Sequence, residues 1–269
     1  MIGWRPGFLL LAATGALVAV LSVVVVSDGT PAMSSPATGD ASPTLLRRLR
    51  ESLAEPGTRL AFWTHFVTPF SSNTFGVLWG FPFLVAGEGL QASGAQAVLV
   101  TTVVVGVVAG PVMGVASVRF AAHRMHLVLG LVACQFVAWA VVLAVGDAPT
   151  WMLFAVAIAI GIGGPASIVA FDFVREHNPA YRLSTATGIV NAGGFTASVM
   201  VILPIGLTLN LTSGPGGAYD LSSFRIAMCW QIPFWALGAL MVVREHRRTR
   251  ARTDAGDRLS EVTVRSLPR

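Results

Sequence analysis

The 269-residue chain has no lysine, two cysteines and two tyrosines, and only 12% of its residues are charged. Each scarcity closes off a class of chemistry. Without a lysine amine there is no retinal Schiff base, so a rhodopsin-like receptor or pump of the retinal kind is excluded. Cys134 and Cys229 lie in separate apolar segments with no partner at metal-ligand or redox spacing; they read as buried free thiols, and no metal site is expected. H-E-x-x-H, G-x-S-x-G and a pair of intramembrane aspartates are also missing. Those are the arrangements that would supply an enzyme within the bilayer with a base, a nucleophile or a metal. The sequence therefore points to no catalytic residues, no cofactor and no enzyme.

What the charges leave between them is more informative. No formal charge falls at 6–27, 60–87, 89–118, 125–146, 148–171, 183–219 or 226–243. A bilayer core needs about 20 apolar residues per helix, whereas a soluble protein breaks such runs with surface charges every few residues. The expected fold is an all-α integral membrane protein with seven transmembrane helices. Its organisation reads as a first transmembrane helix (1–27), a cytoplasmic linker with an amphipathic helix (28–59), a six-helix membrane bundle (60–243) and a basic cytoplasmic tail (244–269).

Arginine sets the orientation. If the first helix runs from outside to inside, sixteen of the eighteen arginines are cytoplasmic and only Arg5 and Arg225 lie outside. That is the positive-inside pattern of a multi-pass protein of the plasma (inner) membrane, with its N-terminus outside and its C-terminus in the cytoplasm. The high pI of about 10.5 then follows from topology, and no nucleic-acid partner is implied. A secretory signal peptide over residues 1–35 is the competing reading. It would deliver the "LLRRLR" segment to the outer face, and the apolar run Phe8 to Val26 is long for a signal sequence.

Within the linker, 28–43 is rich in Pro, Ser, Gly and Ala and is expected to be flexible. From Thr44 onward, Leu45, Leu46, Leu49 and Leu53 share one helical face, with Arg47, Arg48, Arg50 and Glu51 elsewhere, and "EPG" at 55–57 ends the pattern. Two readings stand: an interfacial helix on the anionic leaflet, or a solvated basic linker. The polar tail reads as disordered, its arginines a stop-transfer anchor.

Membrane helices associate by close packing, which small residues at four-residue spacing permit. Ser184, Gly188, Ala192 and Thr196 form one such ridge, and Gly106, Gly110 and Gly114 a second, with Pro111 between them favouring a bend. Gly161, Gly163, Gly164 and Pro165 mark a further weak point. Static packing accounts for any one ridge; several together suggest helices that slide or flex.

Three stretches carry a family resemblance. "REHNPAYRLSTATGIVNAGGF" at 175–195 resembles the loop and eleventh helix of major facilitator superfamily transporters. "VLWGFPFLV" at 77–85 is similar to their seventh helix and "GWRPGFLLLAATG" at 3–15 to the start of their sixth. The resemblance runs from Gly3 to about Glu245 and implies the C-terminal six-helix bundle of that fold plus one preceding helix, one of two halves related by pseudo-symmetry. It implies transport of a small solute across the lipid bilayer, with a separately encoded N-terminal half or a second copy as partner. A non-transporting membrane scaffold, subunit or relic is the alternative. The family's gating motif is partly matched: Gly114, Arg119 and Arg124 fit, but Val118 stands in the acidic position and Ala121 in that of the second glycine. Asp172, three residues before Arg175, either substitutes as the cytoplasmic latch or forms a plain helix-end ion pair.

For solute contact the second apolar run is informative. His65, Thr68, Ser72 and Trp79 recur on one side, flanked by Asn73, and polar groups in a span face protein or a water-filled cavity. His65 either couples proton movement or hydrogen-bonds near the cytoplasmic entrance. For Asn191 and Gln231, ligand contact and helix packing both remain open, and Gln231 is the weaker candidate because the last helix of such a bundle is peripheral.

Overall fold

The computed structural model describes residues 4–25, 44–212 and 219–265. The segment 28–43, expected to be flexible, lies outside them. The chain divides into two units, Met1–Thr44 and Leu45–Arg269. The first contains α1 (Trp4–Val25), 22 residues with no charge after Arg5.

The described residues are helical and turn, with no strand. Six helical stretches are long and apolar enough to cross a bilayer: Arg5–Val25, Ala92–Arg119, Ala121–Val145, Thr150–His177, Ala180–Thr212 and Leu221–Ala255. The run expected at 60–87 is built differently. It consists of α3 (Pro56–Val67), α4 (Phe70–Asn73), a π-helical stretch (Thr74–Trp79), α5 (Gly80–Pro82) and a second π stretch (Phe83–Gly87). Pro69 and Pro82 each remove a backbone donor, and the chain keeps its remaining bonds by widening its turns. The N–H of Gly80 reaches back five residues to Phe75 O, and that of Glu88 to Phe83 O. A π turn of this kind carries one extra residue and re-aims the side chains beyond it.

The other elements are α2 (Leu45–Ala54), α6 (Ala92–Arg119), α7 (Arg124–Val145), α8 (Thr150–Gly161), α9 (Gly163–Ala166), α10 (Ile168–His177), α11 (Ala180–Thr212), α12 (Leu221–Met228) and α13 (Gln231–Arg265). Helix α3 sits in the middle, packed on α10, α11 and α13, while α6 lies on α8, and α7 on α8 and α13. Fully buried Trp139 of α7 is edged by Phe75 and Phe83, at ring-centroid distances of 5.8 and 5.4 Å. The outward faces carry Val100, Val103, Val104, Val107 and Val108 on α6 and Phe195, Val199, Leu203 and Leu207 on α11, all exposed. Buried among the helices are Ser71, Gln135 and Gln231. An apolar belt on the outside, with scattered polar side chains kept within an apolar core, is the distribution of a multi-pass membrane protein, since a soluble surface does not carry so extensive an apolar belt.

Several expectations are corrected. The ridge Ser184, Gly188 and Ala192 is exposed, with nothing within 4 Å of a Cβ placed on Gly188. Helix α11 packs through its other side, where a Cβ on Gly193 would lie 2.8 Å from Phe62 O and one on Gly194 2.6 Å from His65 Nδ1. The second ridge is only partly a seam: a Cβ on Gly106 would lie 3.4 Å from Gly161 O, but one on Gly110 or Gly114 would meet open space. Cys134 and Cys229 are exposed, not buried. They point outward, where a thiol behaves as a small apolar group. The segment 244–265, expected to be disordered, is helical: α13 continues to Arg265. Its first turns are held by Glu245, 1% exposed, which accepts from Arg59 Nε and Arg248 Nη1, both at 2.9 Å. Arg252 adds an ion pair to Glu55 at 3.3 Å.

Candidate functional site

The broken helix 56–87 distributes its polar side chains among different neighbours. His65 is buried, its ring edge-on to Phe171 at 5.2 Å and its Nδ1 against Gly194, with no hydrogen-bond partner at that nitrogen. Thr68 is fully buried and donates to Thr64 O at 2.9 Å, while its own carbonyl accepts from Gln135 Nε2 at 3.4 Å. Beyond Pro69 the directions change. Ser71 donates to Gln231 Oε1 at 2.6 Å and accepts from Trp139 Nε1 at 3.0 Å. Asn73 Nδ2 donates to Ser198 Oγ at 3.0 Å, and Trp79 Nε1 to Ile202 O at 3.2 Å. Thr68, Asn73 and Trp79 are thus bound to neighbouring protein groups, and the single polar side expected from helical spacing is not formed.

Ser72 differs from these. It is half-buried and opens into a cleft of about 370 Å³ whose walls include Gly76, Thr102, Gly106, Gly161 and Pro165. Beside it α8 and α6 close on each other at a glycine: a Cβ on Gly161 would meet Thr102 O at 2.8 Å. A second cleft, about 380 Å³, is lined by Phe171, Arg175, Leu183, Ser184 and Thr187. Phe171 forms its floor on one side and covers His65 on the other. Along α11, Ser184, Gly188 and Asn191 follow one another on an exposed face, with half-exposed Thr187 among them. Asn191 makes no packing contribution to the chain's own core; the buried side is Ala186, Val190, Gly193, Gly194, Ala197 and Ser198.

At the arginine-rich end, three of the five gating candidates meet. Ser117 Oγ of α6 donates to Asp172 of α10, and Arg175 Nη1 donates to the other oxygen of that carboxylate at 3.1 Å. Arg124, buried at the start of α7, donates from Nε to Ser117 O at 2.9 Å and pairs with Glu176. Asp172 therefore joins α10 to α6 and does more than cap its own helix. Gly114 and exposed Arg119 stand outside this cluster.

Beside it lies a second network. Asn178 Nδ2 donates to Thr58 Oγ1 at 2.9 Å and to Val174 O at 3.1 Å, and Arg182 bridges to Glu55 at 3.4 Å. At the other end of the bundle, Glu88 is 8% exposed and its carboxylate accepts from Ala148 N at 2.8 Å. Burial pushes the Glu88 carboxyl above its ordinary value and Asp147 adds to this, while the Ala148 N–H and Arg225 oppose it.

Ser71, Gln135, Ser117 and Glu176 escape a reading of the sequence. Their significance depends on partners as far as 160 positions away, as for Ser71 and Gln231. Only Glu176 had a local signal, lying beside Arg175. Compared with known protein families, curated proteins and solved structures, the chain matches no family model, no curated protein and no solved structure.

Proposed function

We propose that the chain is the C-terminal part of a secondary transporter of the major facilitator type, carrying a small solute across the plasma (inner) membrane. In this reading it makes seven crossings, with 56–87 as the second, its N-terminus outside and the arginine-rich end in the cytoplasm. The observation that carries the proposal is the outward polar row of α11, Ser184, Thr187 and Asn191, next to a cleft, in a bundle whose α6 turns the apolar row Val100, Val103, Val104, Val107 and Val108 outward. Polar side chains left facing lipid cost free energy, so such a row belongs against a water-filled path or a partner. Transporters of this type place the solute between two helical halves. The completing half is an N-terminal bundle or a second copy.

Ser72, Thr187 and Asn191 are the proposed solute-facing residues, with His65 behind Phe171. Arg124, Asp172, Arg175, Ser117 and Glu176 form the cytoplasmic latch between α6, α7 and α10. The test is single-cysteine labelling in native membranes, in a Cys134→Ala/Cys229→Ala background, with a small water-soluble thiol reagent. Thr187→Cys and Asn191→Cys are expected to react faster than Val107→Cys and Leu203→Cys, which replace outward apolar residues 71% and 66% exposed. Equal, slow labelling at all four sites overturns the proposal.

A further inference from the structure

Helix α2 is short, only ten residues, and ends two positions before the apolar segment that begins at Pro56. Such a helix is marginal on its own. The chain holds it by one side. Tyr181 Oη donates to Glu51 Oε2 at 2.8 Å and Arg182 Nη1 donates to Glu51 O at 3.3 Å. Arg59 Nη1 donates to the carbonyls of Leu53 and Ala54, both at 2.8 Å, which satisfies two orphan acceptors at the C-terminal end of α2. The hydrogen bonds from Arg47 and Tyr181 hold the Glu51 carboxyl below its ordinary value, so this attachment stays charged at neutral pH.

The leucines are left uncovered by this docking. Leu45, Leu46 and Leu53 are 67%, 77% and 51% exposed. At about 100° per residue, the four leucines including Leu49 occupy roughly a quarter of the helix circumference. Arg48 falls on one flank of that arc and Arg50 on the other, while Glu51 points away from it. A row of leucines bordered by arginines, at the junction with an apolar span, matches an anionic lipid surface. The apolar row enters the acyl boundary and the exposed guanidinium of Arg50 on its flank reaches phosphate.

We infer that α2 is an interfacial helix seated on an anionic leaflet by its leucine row and fastened by its other side to the first turn of α11. The inference rests on the membrane reading above. It differs from a solvated linker, because the leucines are then immersed and the immersion responds to lipid charge. It differs from a protein-docking surface, because no protein partner is then needed.

The test uses the full chain with Cys134 and Cys229 replaced by alanine, carrying one nitroxide at Leu46→Cys, Arg47→Cys or Val107→Cys. Each is reconstituted in bilayers of pure phosphatidylcholine or of phosphatidylcholine with one-third phosphatidylglycerol. Relative accessibility to oxygen and to a water-soluble nickel chelate reports depth. The expected result is an oxygen-favoured label at 46, several-fold more so with the anionic lipid and reversed toward water by high salt, and a chelate-accessible label at 47. Position 107 is oxygen-favoured in both bilayers. If 107 is buried in lipid but 46 remains chelate-accessible in both, the inference fails while the membrane reading stands. If 46 is immersed equally in both bilayers, the anionic preference is wrong. Protection of 46 only after a soluble protein fraction is added assigns the row to a protein partner and overturns the inference. A chelate-accessible 107 removes the membrane reading itself.

Discussion

The glycines of α11 offer the sharpest measurement, because two of them differ in what their missing side chains would meet. A Cβ at Gly193 would lie 2.8 Å from the carbonyl oxygen of Phe62 and 3.2 Å from its ring, whereas one at Gly188 meets nothing within 4 Å. Ordinary contact begins at 3.4 Å, so Gly193→Ala needs 3.4 − 2.8 = 0.6 Å of separation against a backbone atom that cannot rotate away. Forcing a well-packed seam apart costs about 1–3 kcal/mol. Both substitutions also gain roughly 1 kcal/mol of helix propensity, which cancels when the two variants are compared with each other.

Gly193→Ala is therefore expected to be about 1–3 kcal/mol less stable than Gly188→Ala. On the scale of roughly 2–4 °C per kcal/mol for a domain of 150–250 residues, that separates their melting temperatures by several degrees. Thermal unfolding in detergent, followed by the fluorescence of the chain's seven tryptophans, reads the difference directly. Equal midpoints, or a lower midpoint for Gly188→Ala, would show that α11 packs through the Ser184–Gly188–Ala192 ridge and that its rotation here is wrong.

Other predictions test separate parts of the molecule. Ser71→Ala leaves Gln231 Oε1 and Trp139 Nε1 unpaired in a buried site and is expected to cost about 1–3 kcal/mol; a double-mutant cycle with Gln231→Leu, read by thermal unfolding, is expected to show coupling of about 0.5–1.7 kcal/mol, and none if the bond is incidental. Glu245→Gln removes the charge that buried Glu245 offers to Arg59 and Arg248; because those arginines are 31% and 47% exposed, the expected loss is about 1–2 kcal/mol, below the 3–5 of a fully buried pair, and proteolysis of the α13 extension is expected to speed up. Burial raises the Glu88 carboxyl above its usual 4.5, so its protonation is favoured by folding: that stabilisation is complete below about pH 4.5 and is lost as the pH rises through the raised value. Glu88→Gln is accordingly expected to melt higher than the parent at pH 7, with the gap closing at pH 4; a gap independent of pH refutes the burial argument. For topology, Ser93→Cys is expected to label from outside intact cells and Thr253→Cys only after permeabilisation, and the reverse pattern overturns the orientation.

The helical elements were largely legible because a membrane span is written in what it omits, and charge is easy to count. Their rotation was not. In a soluble helix the apolar stripe marks the buried side, but α11 has apolar residues on both sides, with Val190 and Val201 buried and Val199 and Leu203 exposed. Small residues then tempt one toward the wrong ridge, since Gly188 and Gly193 look alike until a neighbour is placed beside them. The α13 extension was missed for a related reason: a polar arginine-rich stretch has no core of its own, and what orders its first turns is Glu245 and Glu55 meeting arginines from distant parts of the chain. At the candidate site, residue types were readable and directions were not. Pro69 and the π turns after it break the 3.6-residue period on which the single-face reading of His65, Thr68, Ser72 and Trp79 depended.

That break also bears on how such a bundle works. Over nine residues, from Ser71 to Trp79, the chain addresses α13 and α7 through Ser71, the small-residue cleft beside α6 through Ser72, and α11 through Asn73 and Trp79. A regular α-helix would carry Ser72 and Trp79, seven residues apart, on nearly the same side; here they serve different neighbours. Polar groups bound to the chain's own helices contribute to its fold and have little left to offer a solute. In the proposed transport reading, those without such bonds, Ser72 in its cleft and the outward row of α11, are where a solute or a second half gains by arriving. The same segment has wide turns and two prolines where a continuous helix would have a stiff hydrogen-bond ladder. If parts of the bundle move relative to one another, as the proposed transport requires, the motion is expected to be taken up between Val67 and Gly87, leaving the Gly193–Phe62 contact of α3 and α11 intact.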